Sequence, residues 1–345
     1  MELKEFLYEL PPSLIAAAPA RDRAAARLMV VDRSRGTIDH GDFASLGAFL
    51  RPGDLLVLND TRVFPARLRG RKESGGAAEL LLIEPFPHWP NLWIALVDSA
   101  KKTRVGSRIF FSSGSRAEII GAMGRGRYGV KFHHRGDFAD LLAELGEPPI
   151  PSYVGAERPV EALDWERYQT VYARNPGAVA APTAGFHFTP GLLKSLAAGG
   201  IETAFLTLHV GPGTFSPVRD EEIENHRMEG EWYALGAGAA EKIARAKARG
   251  GRVVAVGSTS TRTLEWIAEK KGAVVADDGI ARLFIRPGSR FRVIDGLVTN
   301  FHLPGSTPLV MVAAFAGIDL VRRAYQEAIR AEYRFYSYGD AMLIL

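Results

Sequence analysis

The chain has no cysteine in its 345 residues, which excludes disulfides, thiolate metal centres and a cysteine nucleophile. Long apolar runs are missing as well: the longest, Leu309–Ile318, falls well short of the ~20 residues that cross a bilayer. The opening Met1-Glu-Leu-Lys-Glu-Phe6 lacks the basic-then-apolar order of a signal peptide, so the expected location is the cytoplasm. No internal repeat and no low-complexity tract is present. A Walker lysine, an H-E-x-x-H pair and a G-x-S-x-G elbow are also absent, which counts against triphosphate hydrolysis, a helical zinc site and an esterase. Net charge is small, with 43 Lys and Arg against 39 Asp and Glu, or +4.

What is present is an ordinary globular mixture, 47% hydrophobic and 24% charged, long enough for two domains. The charge is unevenly placed. Phe64–Gly136 holds 13 basic and five acidic residues, so this segment carries +8 and the remainder −4. A solvated basic face and a polyanion site explain that asymmetry equally well on charge alone. Within the segment, short β-rich runs recur at Ala66–Arg71, Glu79–Glu84, Asn91–Val97, Arg108–Ser112, Arg116–Ile120 and Tyr128–His133, punctuated by Gly and Pro clusters. Such spacing predicts a small antiparallel barrel or sandwich. Strand patterns at Leu28–Asp32 and Leu55–Asn59 precede it and Pro148-Pro-Ile-Pro151 follows, so the barrel is expected as an insertion, residues 64–149.

Residues 1–63 and 150–345 predict an α/β domain with a mostly parallel or mixed sheet and flanking helices. Thr189-Pro-Gly opens a helix, with the threonine as N-cap. Ile201–Val210 reads as a strand, Ala239–Ala248 as a helix, Arg252–Val256 as a strand and Thr263–Lys271 as a helix. Asp319–Glu332 forms a last amphipathic helix and Ala341–Leu345 a last strand.

Gly124-Arg-Gly126-Arg-Tyr-Gly129 matches the dinucleotide fingerprint in letters only. A strand pattern follows it instead of a helix, so a hairpin turn is expected. Val254-Ala-Val-Gly257-Ser-Thr-Ser-Thr-Arg262 leads from a buried strand through a hydroxyl-rich turn into a helix, where a ligand could meet free amides. Simple helix capping by Ser or Thr is the plainer alternative. His209 ends a strand before a glycine-rich turn, a position that serves either catalysis or a structural hydrogen bond. His187, His226 and His302 also sit in turns beside apolar elements, without any local metal-ligand spacing. The residues alone thus predict a basic barrel on an α/β body with a polar, histidine-containing cleft, and no named reaction.

Taken together, the clusters resemble the S-adenosylmethionine:tRNA ribosyltransferase-isomerase family of queuosine biosynthesis. The resemblance runs from Tyr8-Glu-Leu-Pro-Pro through Pro52-Gly-Asp-Leu-Leu-Val-Leu-Asn59-Asp60-Thr61-Arg62, Arg167-Tyr-Gln-Thr-Val-Tyr172, Ala181-Pro-Thr-Ala-Gly-Phe-His-Phe-Thr189 and Leu208-His-Val-Gly-Pro-Gly-Thr-Phe215. It continues in Val256-Gly-Ser-Thr-Ser-Thr-Arg-Thr-Leu-Glu265, Thr299-Asn-Phe-His-Leu-Pro-Gly-Ser-Thr307 and Tyr333-Arg-Phe-Tyr-Ser-Tyr-Gly-Asp-Ala-Met342. Three departures stand out. Glu229 replaces the second histidine of the family's His-x-Met-His-x-Glu stretch, alanines fill the serine position between Arg21 and Arg27, and Gly155-Ala156 stands where Lys-Arg is common.

The resemblance implies ribosyl transfer and isomerisation from S-adenosylmethionine onto 7-aminomethyl-7-deazaguanine at the tRNA wobble position, giving epoxyqueuosine-tRNA, adenine and methionine. S-adenosylmethionine is then a consumed co-substrate, and neither cofactor nor metal is expected. Asp60, His187, His209, Glu231 and His302 are the expected acid and base group. Arg62, Thr183, Gly211, Ser258, Thr259, Arg262 and Asn300 are expected to bind substrate. Lys101, Lys102, Arg104, Arg125 and Arg127 are expected to meet phosphates of the anticodon arm, and the protein is expected to be a monomer. Two other classes stay open from the residues: a non-catalytic RNA-binding protein, and a metal-dependent hydrolase using the scattered histidines.

Overall fold

The structure is a computed structural model that describes residues 1–20, 22–98, 103–151, 162–215 and 218–345. In chain order the first strands are β1 (Arg27–Asp32), β2 (Thr37–Asp42), β3 (Leu55–Asn59) and β4 (Thr61–Val63). Then come β5 (Arg67–Lys72), β6 (Ala77–Phe86), β7 (Trp89–Val97), β8 (Arg108–Phe110), β9 (Arg116–Gly124), β10 (Arg127–His133), helix α1 (Phe138–Leu145) and β11 (Gly146–Glu147). Helix α2 (Ala162–Arg167), β12 (Asn175–Ala178), α3 (Pro190–Ala198), β13 (Glu202–Leu208), β14 (Glu231–Leu235), α4 (Ala237–Ala248) and β15 (Val253–Val256) follow. The last elements are α5 (Gly257–Lys271), β16 (Asp277–Ala281), β17 (Gly296–Asn300), α6 (Thr307–Ala316), α7 (Ile318–Arg330) and β18 (Ala341–Ile344).

Nine strands form one mixed sheet in the order β16-β14-β13-β3-β15-β17-β18-β1-β2. Its centre, β13, β3, β15 and β17, is parallel, while β14 and β18 run antiparallel to their inner neighbours. The central strands Leu55–Asn59, Val253–Val256 and Gly296–Asn300 are buried at every position, because both faces of the sheet are covered. On one face Val57, Leu206, Ala255 and Leu297 pack with Ile243, Leu264, Val310 and Val321, which brings in α4 to α7. On the other, Leu56, Leu58, Val254 and Val298 pack with Phe43, Leu46, Phe188 and Leu196.

The second sheet closes on itself. Its order is β5-β6-β7-β10-β9-β8, and β5 pairs back onto β8, with β11 added along β5. This six-strand antiparallel barrel has its own core of Leu68, Leu80, Ile119, Val130 and Phe132, joined by Leu141 and Leu142 of α1. Closure removes the free strand edges that an open sheet of this size would expose. The glycine-rich fingerprint is the β9–β10 hairpin. Arg125 (φ 52°) and Gly126 (φ 77°) occupy the two positive-φ positions of its two-residue turn, the geometry that suits the twist of antiparallel strands. The connection between the runs expected at Glu79–Glu84 and Asn91–Val97 is short, because Pro85 and Phe86 stay in β6 and β7 begins at Trp89.

The helix expected at Thr263 starts at Gly257 instead. Gly257 adopts φ +85°, which lets β15 turn into α5 without an intervening loop. Thr261 and Thr263 return their hydroxyls to the carbonyls of Gly257 and Thr259 (3.1 and 3.0 Å), so residues that favour turns when solvated are satisfied inside a buried helix.

Candidate active site

The parallel strands β3, β15 and β17 end side by side at Asn59, Val256 and Asn300, where open α/β sheets present ligand sites. A cavity of about 30 Å³ lies there, lined by five of the predicted residues, Thr183, Ser258, Thr259, Asn300 and His302, together with Val210, Tyr336 and Ser337. The polar groups are ordered by hydrogen bonds. Thr183 Oγ1 donates to Asn300 Oδ1 (2.9 Å), and Asn300 Nδ2 donates to Nε2 of His187 (3.2 Å). His187 is 4% exposed and packs its ring against Phe43. Burial, aided by the charges of Arg334 and Arg23, pushes its pKa down to about 3. His302, hydrogen-bonded to Thr299 Oγ1 (2.7 Å), is likewise pushed down to about 3 by burial while keeping an edge on the cavity. Both rings are neutral near pH 7.

Asn59, which the sequence reading passed over, ties the cleft together. Its Nδ2 donates to the Leu208 carbonyl (2.9 Å) and Thr259 Oγ1 (3.1 Å), and its Oδ1 accepts from the amides of Thr61 (3.1 Å) and Leu208 (3.0 Å). A polar amide closing the apolar run Leu55–Leu58 was the available signal. Next to it, Asp60 Oδ1 accepts from Thr207 Oγ1 (2.7 Å) and Asn175 Nδ2 (3.1 Å). His209 Nδ1 bonds Thr61 Oγ1 (2.8 Å), and its ring stacks on Trp232 at 4.8 Å. Burial lowers the His209 pKa and the Asp60 carboxylate opposes that shift. Asp60 and His209 therefore form a polar cluster beside the cavity, adjoining it through Val210.

Glu231 and Arg262 form a buried ion pair, 5% and 4% exposed. Glu231 Oε1 also accepts from the Gly211 amide (2.8 Å), and Arg262 Nε donates to the Leu283 carbonyl (3.1 Å). The structure thus joins three predicted residues, Gly211, Glu231 and Arg262, in one hydrogen-bonded unit. Arg62 projects to solvent from β4 and lines none of these cavities.

A larger crevice of about 560 Å³ opens between the β9–β10 hairpin and the segment before β14. Arg125, Arg127, Arg219, Arg227, His226 and Glu229 are among its lining residues. Arg127, expected at an exposed tip, instead pairs with Glu229, and Arg125 approaches the same carboxylate at 3.9 Å. Arg219 and Arg227 were not anticipated, since acidic neighbours mask them in the sequence. Arg104 is exposed in the loop between β7 and β8. That loop leaves the same barrel end as the hairpin, because Leu96 pairs with Arg127. Lys101 and Lys102 lie outside the described residues. Met228 lines both the crevice and a small pocket beside Arg262 and Ser258, and Ser258 and Pro308 line that pocket and the strand-end cavity. The basic crevice and the polar cleft are thereby neighbours, sharing wall residues with the pocket between them. Among the described residues, no three His, Asp or Glu side chains group as metal ligands. No helix among them is long and apolar enough to cross a membrane.

A mixed α/β sheet carrying a closed basic barrel, with a polar cleft at its strand ends, defines the class, and the chain belongs to the queuosine biosynthesis protein family, whose model matches residues 3–344. It is 51% identical to the S-adenosylmethionine:tRNA ribosyltransferase-isomerase of Pelobacter propionicus over 344 residues, covering 100% of both chains. It is 50% identical to the protein of that name from Symbiobacterium thermophilum over 347 residues, again 100% of both. The crystal structure of the S-adenosylmethionine tRNA ribosyltransferase from Thermotoga maritima matches with a TM-score of 0.56 at 37% identity, covering 99% of this chain and 100% of that one.

Proposed function

We propose that this chain transfers and isomerises the ribosyl part of S-adenosylmethionine onto 7-aminomethyl-7-deazaguanine at the tRNA wobble position, releasing adenine and methionine. The observation that carries the reading is the adjacency of an arginine-lined crevice, suited to a polyanion, and a neutral, hydrogen-bonded cleft suited to a small molecule. The chemistry requires a base to remove a proton from the ribose carbon beside the sulfonium, attack by the amine of the tRNA base, and a proton donor for departing adenine. We assign the base to His209. Its ring is neutral, partly open, oriented by Thr61 and set beside Asp60. His187 is a positioning group that holds Asn300, and the Glu231–Arg262 pair supports the Gly211 turn. In this reading the 64–149 barrel carries anticodon-arm contacts through Arg104, Arg125 and Arg127. The enzyme acts as a cytoplasmic monomer and consumes S-adenosylmethionine without a cofactor.

Mass spectrometry of substrate tRNA incubated with the protein and S-adenosylmethionine tests the reaction, and an unmodified tRNA overturns it. Single-turnover adenine release tests the base. His209→Ala is expected to slow it by about 10²–10⁴-fold with tRNA binding retained, and an unchanged rate removes His209 from that role.

A further inference from the structure

Two helices point their N-termini at the strand-end cavity. Helix α5 contributes Gly257, Ser258 and Thr259 to its wall, and α6 contributes Pro308, which has no amide hydrogen, so the amide donors here are those of α5. Neither helix has a side-chain cap: α5 follows Val256 directly, and Ser306, at the N-cap of α6, gives its hydroxyl to the Leu303 carbonyl (2.7 Å). First-turn amides have no acceptor within their own helix, and a buried helix end without a cap calls for another partner. The amide dipoles of both helices add positive potential at the same point.

A second observation is independent of the helices. Ser337 lines this cavity and also a second one of about 20 Å³ bordered by Arg23, Arg167 and Arg334, is 2% exposed, and its Oγ has no hydrogen-bond partner among the described residues. A buried hydroxyl left unpaired is costly, so its position against this cavity points to a ligand acceptor. The residue before it, Tyr336, holds φ +76°, a left-handed backbone that turns this segment against the cavity. Among the described residues, no aspartate, glutamate, lysine or arginine lines the space. Positive helix ends and hydroxyl donors without a carboxylate favour an anion and disfavour a sulfonium.

We propose that this cavity is an anion subsite that takes the α-carboxylate of the amino-acid half of the sulfonium substrate, held by the first-turn amides of α5, with the dipole of α6 behind it, and by the hydroxyl of Ser337. The proposal rests on the reading of S-adenosylmethionine as substrate. It places the nucleoside on the side of the cavity that opens toward Met228 and the crevice.

Calorimetric binding of S-adenosylhomocysteine, which carries the carboxylate, and 5′-methylthioadenosine, which lacks the amino-acid end, tests it. The protein should bind the first more tightly. Ser337→Ala should weaken S-adenosylhomocysteine about fivefold, the effect of one lost hydrogen bond, and leave 5′-methylthioadenosine unchanged. Equal weakening of both compounds, or of neither, overturns the subsite. If Ser337→Ala does not fold, the unaltered protein with decarboxylated S-adenosylhomocysteine gives the answer: affinity as low as that of 5′-methylthioadenosine supports the subsite, and affinity equal to that of S-adenosylhomocysteine overturns it. Binding of neither nucleoside to the unaltered protein would instead overturn the substrate reading beneath it.

Discussion

His187 shows how a single buried side chain links the cleft to solution conditions. Its folded pKa of about 3 lies below the ordinary 6.5, so between those values the unfolded chain takes up a proton that the folded chain refuses. Stability is therefore complete above about pH 6.5 and falls as pH drops toward 3, by at most roughly 1.4 kcal/mol per pH unit for this ring. Urea unfolding from pH 7 to 4.5 should show that slope, and His187→Asn should make it shallower by one proton. Glu231 is a different case. Its removal leaves the Arg262 guanidinium buried without its counter-charge, so Glu231→Ala should cost about 3–5 kcal/mol in urea unfolding. The sequence marks both residues as polar groups in apolar settings. It does not say that one holds Asn300 while the other neutralises Arg262, because those partners lie 113 and 31 positions away.

At the scale of elements, α5 decides the shape of the cleft. Gly257 carries φ +85°, which an L-residue adopts at a cost of roughly 1–2 kcal/mol. Gly257→Ala should lower the thermal midpoint accordingly and weaken S-adenosylhomocysteine binding, since any relief of strain swings the first-turn amides. Unaltered binding would show that those amides do not touch the ligand. The strands of the barrel and of the central sheet were legible from their alternation and apolar runs. The start of α5 was not, because serine and threonine read as turn formers until burial and the carbonyls at i−4 satisfy them. The role of Asn59 is hidden for a related reason: three of its four hydrogen bonds go to Leu208 and Thr259, 149 and 200 positions away.

For the whole molecule, the +8 barrel segment and −4 remainder meet at an ion-pair cluster on the hairpin. Glu229 on the body holds Arg127 and Arg125 on the hairpin, the same guanidinium groups a tRNA phosphate would engage. Glu229→Gln should therefore tighten binding of an anticodon stem-loop and steepen its salt dependence. Arg125→Glu should weaken binding and make the salt slope shallower by about 0.7–0.9 per lost phosphate contact. Filter binding across a salt series checks both, and unchanged slopes would place the RNA elsewhere.

The sequence by itself determined the architecture and the family, because alternation, buried runs and punctuation are local and because the matched motifs span almost the whole chain. It also determined that no thiol takes part, since there is no cysteine. Tertiary structure alone decided which polar residues meet. Strand ends distant in sequence converge on one cavity, and their burial sets which imidazoles stay neutral. Packing of the barrel against the body turned two arginines from free tips into partners of Glu229. The physical reason is that partner choice and desolvation are properties of space, and composition and spacing along the chain do not encode them directly.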